Sequence, residues 1–413
     1  MKRILLNAPF VVAGVFNFYD SLDVGAQSLL RPLYVLFAAS VGFSLIVSRE
    51  GKLSLRVVGG VVAISALGFL PVPFSNTSES VHVVGDIAVL IVIVLCLALG
   101  RSVLERPEAF RIGLILFFGL SFAGTIAATQ FVAFGRFEPP PPFVLSTLLT
   151  FSLFAPTFQR RSAALVGVCL VAALGFSSGF RTFTLLVVVG LVLLVYIRGG
   201  VFRLVGGGAV AVLALIILSF VGIDPIGSLI NSDAGRFADI ARGAGDASLA
   251  ARFLEAQDVI STASDEWSLP NAVVGSGVGA TYQPERIFLA PNLNEVGRVH
   301  NVHIGPVAVF FRHGIVGLVL LGLALKGVMK AVQNARGARL VLRARDSSST
   351  RWMIALAMTS VLYAVDFLAR NSSVNPGFAL SIGMAVALSS RIIRKTESEP
   401  RPSELPSSRM PVA

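Results

Sequence analysis

Apolar residues run in long, nearly uninterrupted blocks through most of the 413-residue chain, and short polar connections separate them. The blocks are about 16 to 25 residues long, which is what a helix needs to cross roughly 30 Å of hydrocarbon. Read at helical rise, they predict twelve spans near 4–19, 31–48, 56–74, 82–103, 111–134, 142–158, 163–178, 181–198, 203–223, 314–332, 352–369 and 374–393. Blocks such as 87–99 are continuously apolar and lack the two-residue alternation of a membrane β-barrel strand. The expected fold class is therefore an all-α polytopic membrane protein.

One long polar interruption, 224–313, breaks the pattern. Spans one to nine fill 1–223, spans ten to twelve fill 314–395, and a polar tail, read as disordered and cytoplasmic, occupies 396–413. Within the interruption, 250–260 has helical spacing, with Phe253, Ala256, Val259 and Ile260 apolar between Arg252, Glu255 and Asp258. Pro270-Asn271 punctuates the chain, 273–280 reads as a glycine-rich turn, and 283–297 as an irregular lid. A second amphipathic helix, 302–311, leads into the tenth span. Elsewhere, 139–142 reads as a polyproline turn, 206–208 as a site of close helix packing, and 336–350 as a basic linker. Asp366 and Arg370 are placed to pair one helical turn apart.

Charge changes this picture in one respect. The formal net charge of +11 suits nucleic acid at first sight. Its distribution excludes that reading, because 21 Lys and Arg lie in one set of alternate short connections and only 4 in the other. This is the bias of cytoplasmic loops. Both termini are then expected in the cytoplasm, with 224–313 outside. Lys2-Arg3 followed by an apolar run resembles a signal peptide. No small-x-small cleavage pattern follows, so the run reads as an uncleaved first span. Cys96 and Cys169 both fall inside apolar blocks and suggest neither a disulfide nor a metal framework.

Candidate chemistry concentrates in the interruption, which holds three of the four histidines, ten acids and six arginines. Gly275-Ser276-Gly277-Val278-Gly279 is better read as a tight turn than as a phosphate loop, since no strand–helix context surrounds it. His300 and His303 have a helical metal-ligand spacing, but no Cys or well-placed carboxylate completes a site, so no metal or cofactor is expected. What remains is His300 as a proton acceptor near neutral pH and arginines as phosphate ligands, the alternative for each arginine being a pair with a loop acid. His303 and His313 read as interfacial or structural.

Short motifs then bear on function. Ser177-Ser178-Gly179-Phe180-Arg181-Thr182, Arg252 opening a helix, 273–279, Val299-His300-Asn301 and Arg312-His313-Gly314-Ile315-Val316-Gly317 together resemble the O-antigen ligase and Wzy-type polymerase superfamily. The resemblance covers roughly 160–335. It implies a metal-independent, inverting glycosyltransferase of the bacterial inner membrane. The implied donor is a polyprenyl-pyrophosphate-linked glycan, and the acceptor is a hydroxyl of a growing glycan, lipid or wall component. His300 would be the base, with Arg252 and Arg181 holding the pyrophosphate; Arg236, Arg298, Asn301 and Arg312 are further substrate-binding candidates. Polymerase is slightly favoured over ligase. The rival is a transporter or flippase for lipid-linked glycans, disfavoured because ionisable groups are scarce in the span interiors.

Overall fold

The computed structural model describes residues 2–22, 27–48, 80–105, 107–128, 139–177, 181–198, 247–284, 298–344, 348–371 and 375–398, with five isolated positions between 59 and 68. The described elements are α1 (Lys2–Leu22), α2 (Gln27–Ser48), α3 (Ser80–Glu105), α4 (Pro107–Ala128), α5 (Pro142–Phe154) and α6 (Phe158–Ser177). After these come α7 (Arg181–Arg198), α8 (Ala247–Glu266), α9 (Leu269–Val274), α10 (Gly305–Ala344), α11 (Ser348–Arg370) and α12 (Pro376–Ser398). Among the described residues no β-strand occurs, and the all-α class holds.

Among the described residues, seven helices are long and apolar enough to cross a membrane: α1 to α4, α6, α10 and α11. Three of the expected spans are shorter apolar helices, Pro142–Phe154, Thr182–Arg198 and Pro376–Leu388. The 13 residues of α5 rise only about 20 Å, so it does not cross alone. Its start is legible in the sequence: Pro141 has φ −59 and ψ 141, an extended polyproline geometry, and Pro142 opens the helix, where its missing N–H is not needed. The expected ninth span, the 206–208 glycines, and nearly all of the third span lie outside the described residues, as does the tail beyond Ser398.

The bundle is held by apolar packing and a few internal hydrogen bonds. Ring pairs such as Phe10–Phe110 and Phe117–Phe143 fill the space between helices. Helix α11 is the central element; most of its residues are buried against α5, α7, α10 and α12. Backbones of α3 and α12 touch, since a Cβ on Gly100 would stand 2.3 Å from the Gly383 carbonyl oxygen. Without a hydrophobic drive between helices in lipid, such close contact and buried polar pairs supply the attraction. Asn7 Oδ1 accepts the Gly113 N–H at 2.6 Å, and Asn17 donates to Ser121 at 3.0 Å.

The two ends of the bundle differ in charge. At one end Arg351 donates to Phe154 O at 2.6 Å, Arg161 to Ala155 O at 2.7 Å, and Arg336 lies 4.8 Å over the Tyr196 ring. At the other end Asn371 donates to Val302 O at 2.7 Å and Arg252 to Ala369 O at 2.9 Å, so α8 and the start of α10 sit there. The 336–350 stretch differs from the expected linker: helix α10 continues through Ala344. Its Arg, Leu and Ala residues are good helix formers and no Gly or Pro stops it after Gly337.

Candidate functional site

The site is built on a break in α10. Gly314 has φ 58 and ψ −152 inside an otherwise continuous helix, a conformation essentially confined to glycine. The break leaves carbonyls of the preceding turn to be satisfied from elsewhere. The glycine-rich turn supplies the donors: Ser276 N–H bonds Phe311 O at 2.8 Å and Gly277 N–H bonds Arg312 O at 2.9 Å. Gly275, at φ 80, packs so tightly that a Cβ would stand 2.3 Å from the Arg312 carbonyl carbon. The tight-turn reading of 275–279 therefore stands, while Val273 and Val274, expected in the glycine-rich turn, close α9 instead; the turn is also the surface on which the α10 break rests.

Helix α9 feeds this turn. Pro270 does not merely punctuate; it sits in the first turn of α9. Asn271 ties both ends of that helix, accepting the Ser268 N–H at 3.1 Å and donating to Gly275 O at 3.2 Å. Helix α8 is longer than the expected 250–260 and is anchored through buried Glu255. That carboxylate accepts from Tyr282 Oη at 3.1 Å, the His303 N–H at 3.1 Å and His303 Nδ1 at 2.9 Å. The bond to Glu255 raises the His303 pKa above its usual value, outweighing partial burial. Burial, and next the Glu255 charge, push the Tyr282 phenol up, so it stays a neutral donor.

An isolated antiparallel bridge between Tyr282 and Val299, with two bonds of 2.8 Å, places the next residue, His300. Its Nδ1 lies 2.9 Å from Ala280 O. A carbonyl can only accept, so Nδ1 carries the proton and Nε2 is the working nitrogen. Nε2 stands 3.1 Å from Arg312 Nη2 and 3.3 Å from Asp86 Oδ1. Arg312 also donates to His300 O at 3.0 Å, and its Nε is 3.4 Å from Asp86 Oδ2. Asp86 Oδ2 accepts the Gly279 N–H at 2.9 Å. His82, one turn before Asp86 on α3, stacks parallel on the His300 ring at 4.0 Å between centroids.

These groups cap a cavity of about 310 Å³ between α3, α10, α11 and α12. Asp86, His300, Asn301, Arg312, His313 and Asn371 line its polar end; the remainder is apolar, including Leu90, Ile93, Leu320, Leu325 and Phe378. A small cluster able to exchange a proton thus meets a chamber suited to hydrocarbon.

Of the sequence candidates, the structure brings together His300, Asn301 and Arg312. Arg298 is elsewhere: its guanidinium grips Glu266 at 2.9 and 3.1 Å and bonds Thr281 Oγ1 and O. That is the loop-acid pairing read as the alternative for any arginine here. Arg252 is not in the cavity lining and donates to Ala369 O. Arg181 opens α7, but its side chain, like Arg370's and all of Arg236, lies outside the described residues. His300 and His303 face different partners, and among the described residues no three His, Cys, Asp or Glu side chains gather as a metal site would need. Asp86 and His82 were missed because they fall in an apolar block. An ionisable residue inside a span was itself the available signal.

No family model, curated protein or solved structure matches this chain.

Proposed function

We propose that the chain is a membrane glycosyltransferase that moves glycan from a polyprenyl-pyrophosphate donor to an acceptor hydroxyl, as the motif resemblance implies. The observation that carries this reading is a histidine whose Nδ1 is held by a backbone carbonyl, so that its Nε2 faces an arginine and a carboxylate at the polar mouth of an apolar cavity. The cavity takes the polyprenyl chain and the mouth takes the pyrophosphate. His300 Nε2 accepts the acceptor's proton as its oxygen bonds the anomeric carbon. The bond from that carbon to the pyrophosphate oxygen breaks on the opposite face, with inversion, and the electron pair leaves with the pyrophosphate. Asp86 stabilises the imidazolium. Arg312, the nearest described guanidinium, stabilises charge on the leaving group, and loss of such a donor slows comparable reactions by about 10²–10³. The donor's pyrophosphate already activates the sugar, so no cofactor enters the scheme.

The basic end of the bundle faces the cytoplasm in this proposal and the α8–α9 end faces outward, as charge bias favours. Replacing His300 with Ala abolishes glycan transfer in producing cells at unchanged protein abundance; normal surface polysaccharide would refute the base assignment. Labelling of a Ser264→Cys variant from outside intact cells checks the orientation first. Deletion that leaves single glycan repeats attached to the surface indicates a polymerase, and loss of all attachment a ligase.

One observation favours the transport reading: Asp86 and Arg312 both lie in membrane-length helices, where ionisable groups mark substrate paths. Lipid-linked glycan accumulating on the inner face after deletion supports a flippase, and on the outer face the transferase.

A further inference from the structure

Two contacts at His300 require opposite states of one nitrogen. With Nδ1–H committed to Ala280 O, Nε2 bears either a lone pair or a proton. Arg312 Nη2, at 3.1 Å, is a donor only and needs the lone pair. Asp86 Oδ1, at 3.3 Å, is an acceptor when ionised and needs the proton. A neutral His300 is therefore covered by Arg312 at the position where a base must act. An imidazolium repels Arg312 and turns to Asp86.

We propose that Arg312 is a removable cap on His300: an anionic group reaching the cavity mouth draws the guanidinium off Nε2, so the pyrophosphate-bearing donor must arrive before the acceptor can be deprotonated. This rests on the transferase reading and adds an order of events to it. Arg312 is suited to the exchange because its Nε is buried without a hydrogen-bond partner. That N–H lies near Asp86 Oδ2, at 3.4 Å, beyond good bonding distance. A phosphate oxygen offers Arg312 the bidentate geometry that Asp86 does not. Asp86 keeps its bond from Gly279 N–H throughout and is left to hold the proton on Nε2. The other titratable groups at this point are His82, stacked on the ring, and His313, which lines the same mouth.

The test follows diethyl pyrocarbonate modification of His300 in the full chain, purified in detergent, with each histidine resolved by peptide mass spectrometry. The reagent bonds through an imidazole lone pair, so a capped Nε2 reacts slowly. Inorganic pyrophosphate is the probe anion. Saturating pyrophosphate is expected to speed His300 modification about tenfold, the equivalent of losing one charge-assisted hydrogen bond. Arg312→Met is expected to react at the fast rate with or without pyrophosphate. The pyrophosphate titration uses the wild-type chain, so a poorly folded variant does not decide the matter. Slower modification with pyrophosphate would overturn the cap but leave the anion site, and the transferase reading, standing. An unchanged wild-type rate alongside fast Arg312→Met would overturn the exchange and count against a pyrophosphate site. Equal rates in wild type and Arg312→Met would show that no cap exists.

Discussion

Replacing Asp86 with Ala leaves a guanidinium without its counter-charge in an apolar wall. The Asp86 and Arg312 side chains are 15% and 13% exposed, so water compensates little. Removing one member of a buried pair typically destabilises by about 3–5 kcal/mol. The Gly279 N–H also loses its acceptor, worth about 1–3 kcal/mol where water cannot replace it. The two effects overlap, because the turn can shift once Arg312 is strained, and about 4 kcal/mol in all is a reasonable sum. The double variant Asp86→Ala/Arg312→Met removes the stranded charge and should recover at least about 2 kcal/mol of that loss, a coupling typical of residues in contact. Thermal exposure of Cys96, which is fully buried where α3 meets α12, reports unfolding through reaction with a thiol-specific fluorophore. Partly exposed Cys169 is first changed to Ser to remove its background. Asp86→Ala should lower the midpoint by roughly 5 °C, and the double variant should fall less. An Asp86→Ala midpoint within about 1 °C of wild type, or a double variant that falls by the sum of the singles, would refute this account of the mouth.

Two further outcomes follow from the loop. Gly314→Ala places a Cβ 2.4 Å from Val273 O at a positive φ, so a loss of about 2–4 kcal/mol is expected in the same assay. Gly42→Ala, inside α2 where nothing lies within 4 Å, should cause no loss and serves as its control. The His303–Glu255 bond gives a pH-dependent term whose sign follows from the raised histidine pKa. Stabilisation is fully present below the ordinary value of about 6.5 and disappears as pH rises through the higher folded value. The midpoint difference between wild type and His303→Gln should therefore shrink on raising pH from 6 through 8; a difference that grows over that range would contradict the ion pair.

Much of this architecture follows from one-dimensional information. An apolar run long enough to cross hydrocarbon must satisfy its own backbone as a helix, so blocks such as 82–103 and 352–369 are readable without coordinates. Local chemistry is readable too: Pro142 starts α5, and three closely spaced glycines at 275, 277 and 279 announce a turn with positive φ. Their partner is not, because the bonds from Ser276 and Gly277 to the α10 break join segments more than 30 residues apart. The mouth depends on distance in space even more strongly. His300 was singled out for its chemistry, but which arginine it meets is settled by the Tyr282–Val299 bridge and the Gly314 break, which turn Arg312 toward it while Arg252 and Arg298 find carbonyl and carboxylate partners elsewhere. Asp86 arrives from a helix 214 residues earlier. Hydropathy averages over such a residue, whereas electrostatics acts through the few ångströms that packing alone creates.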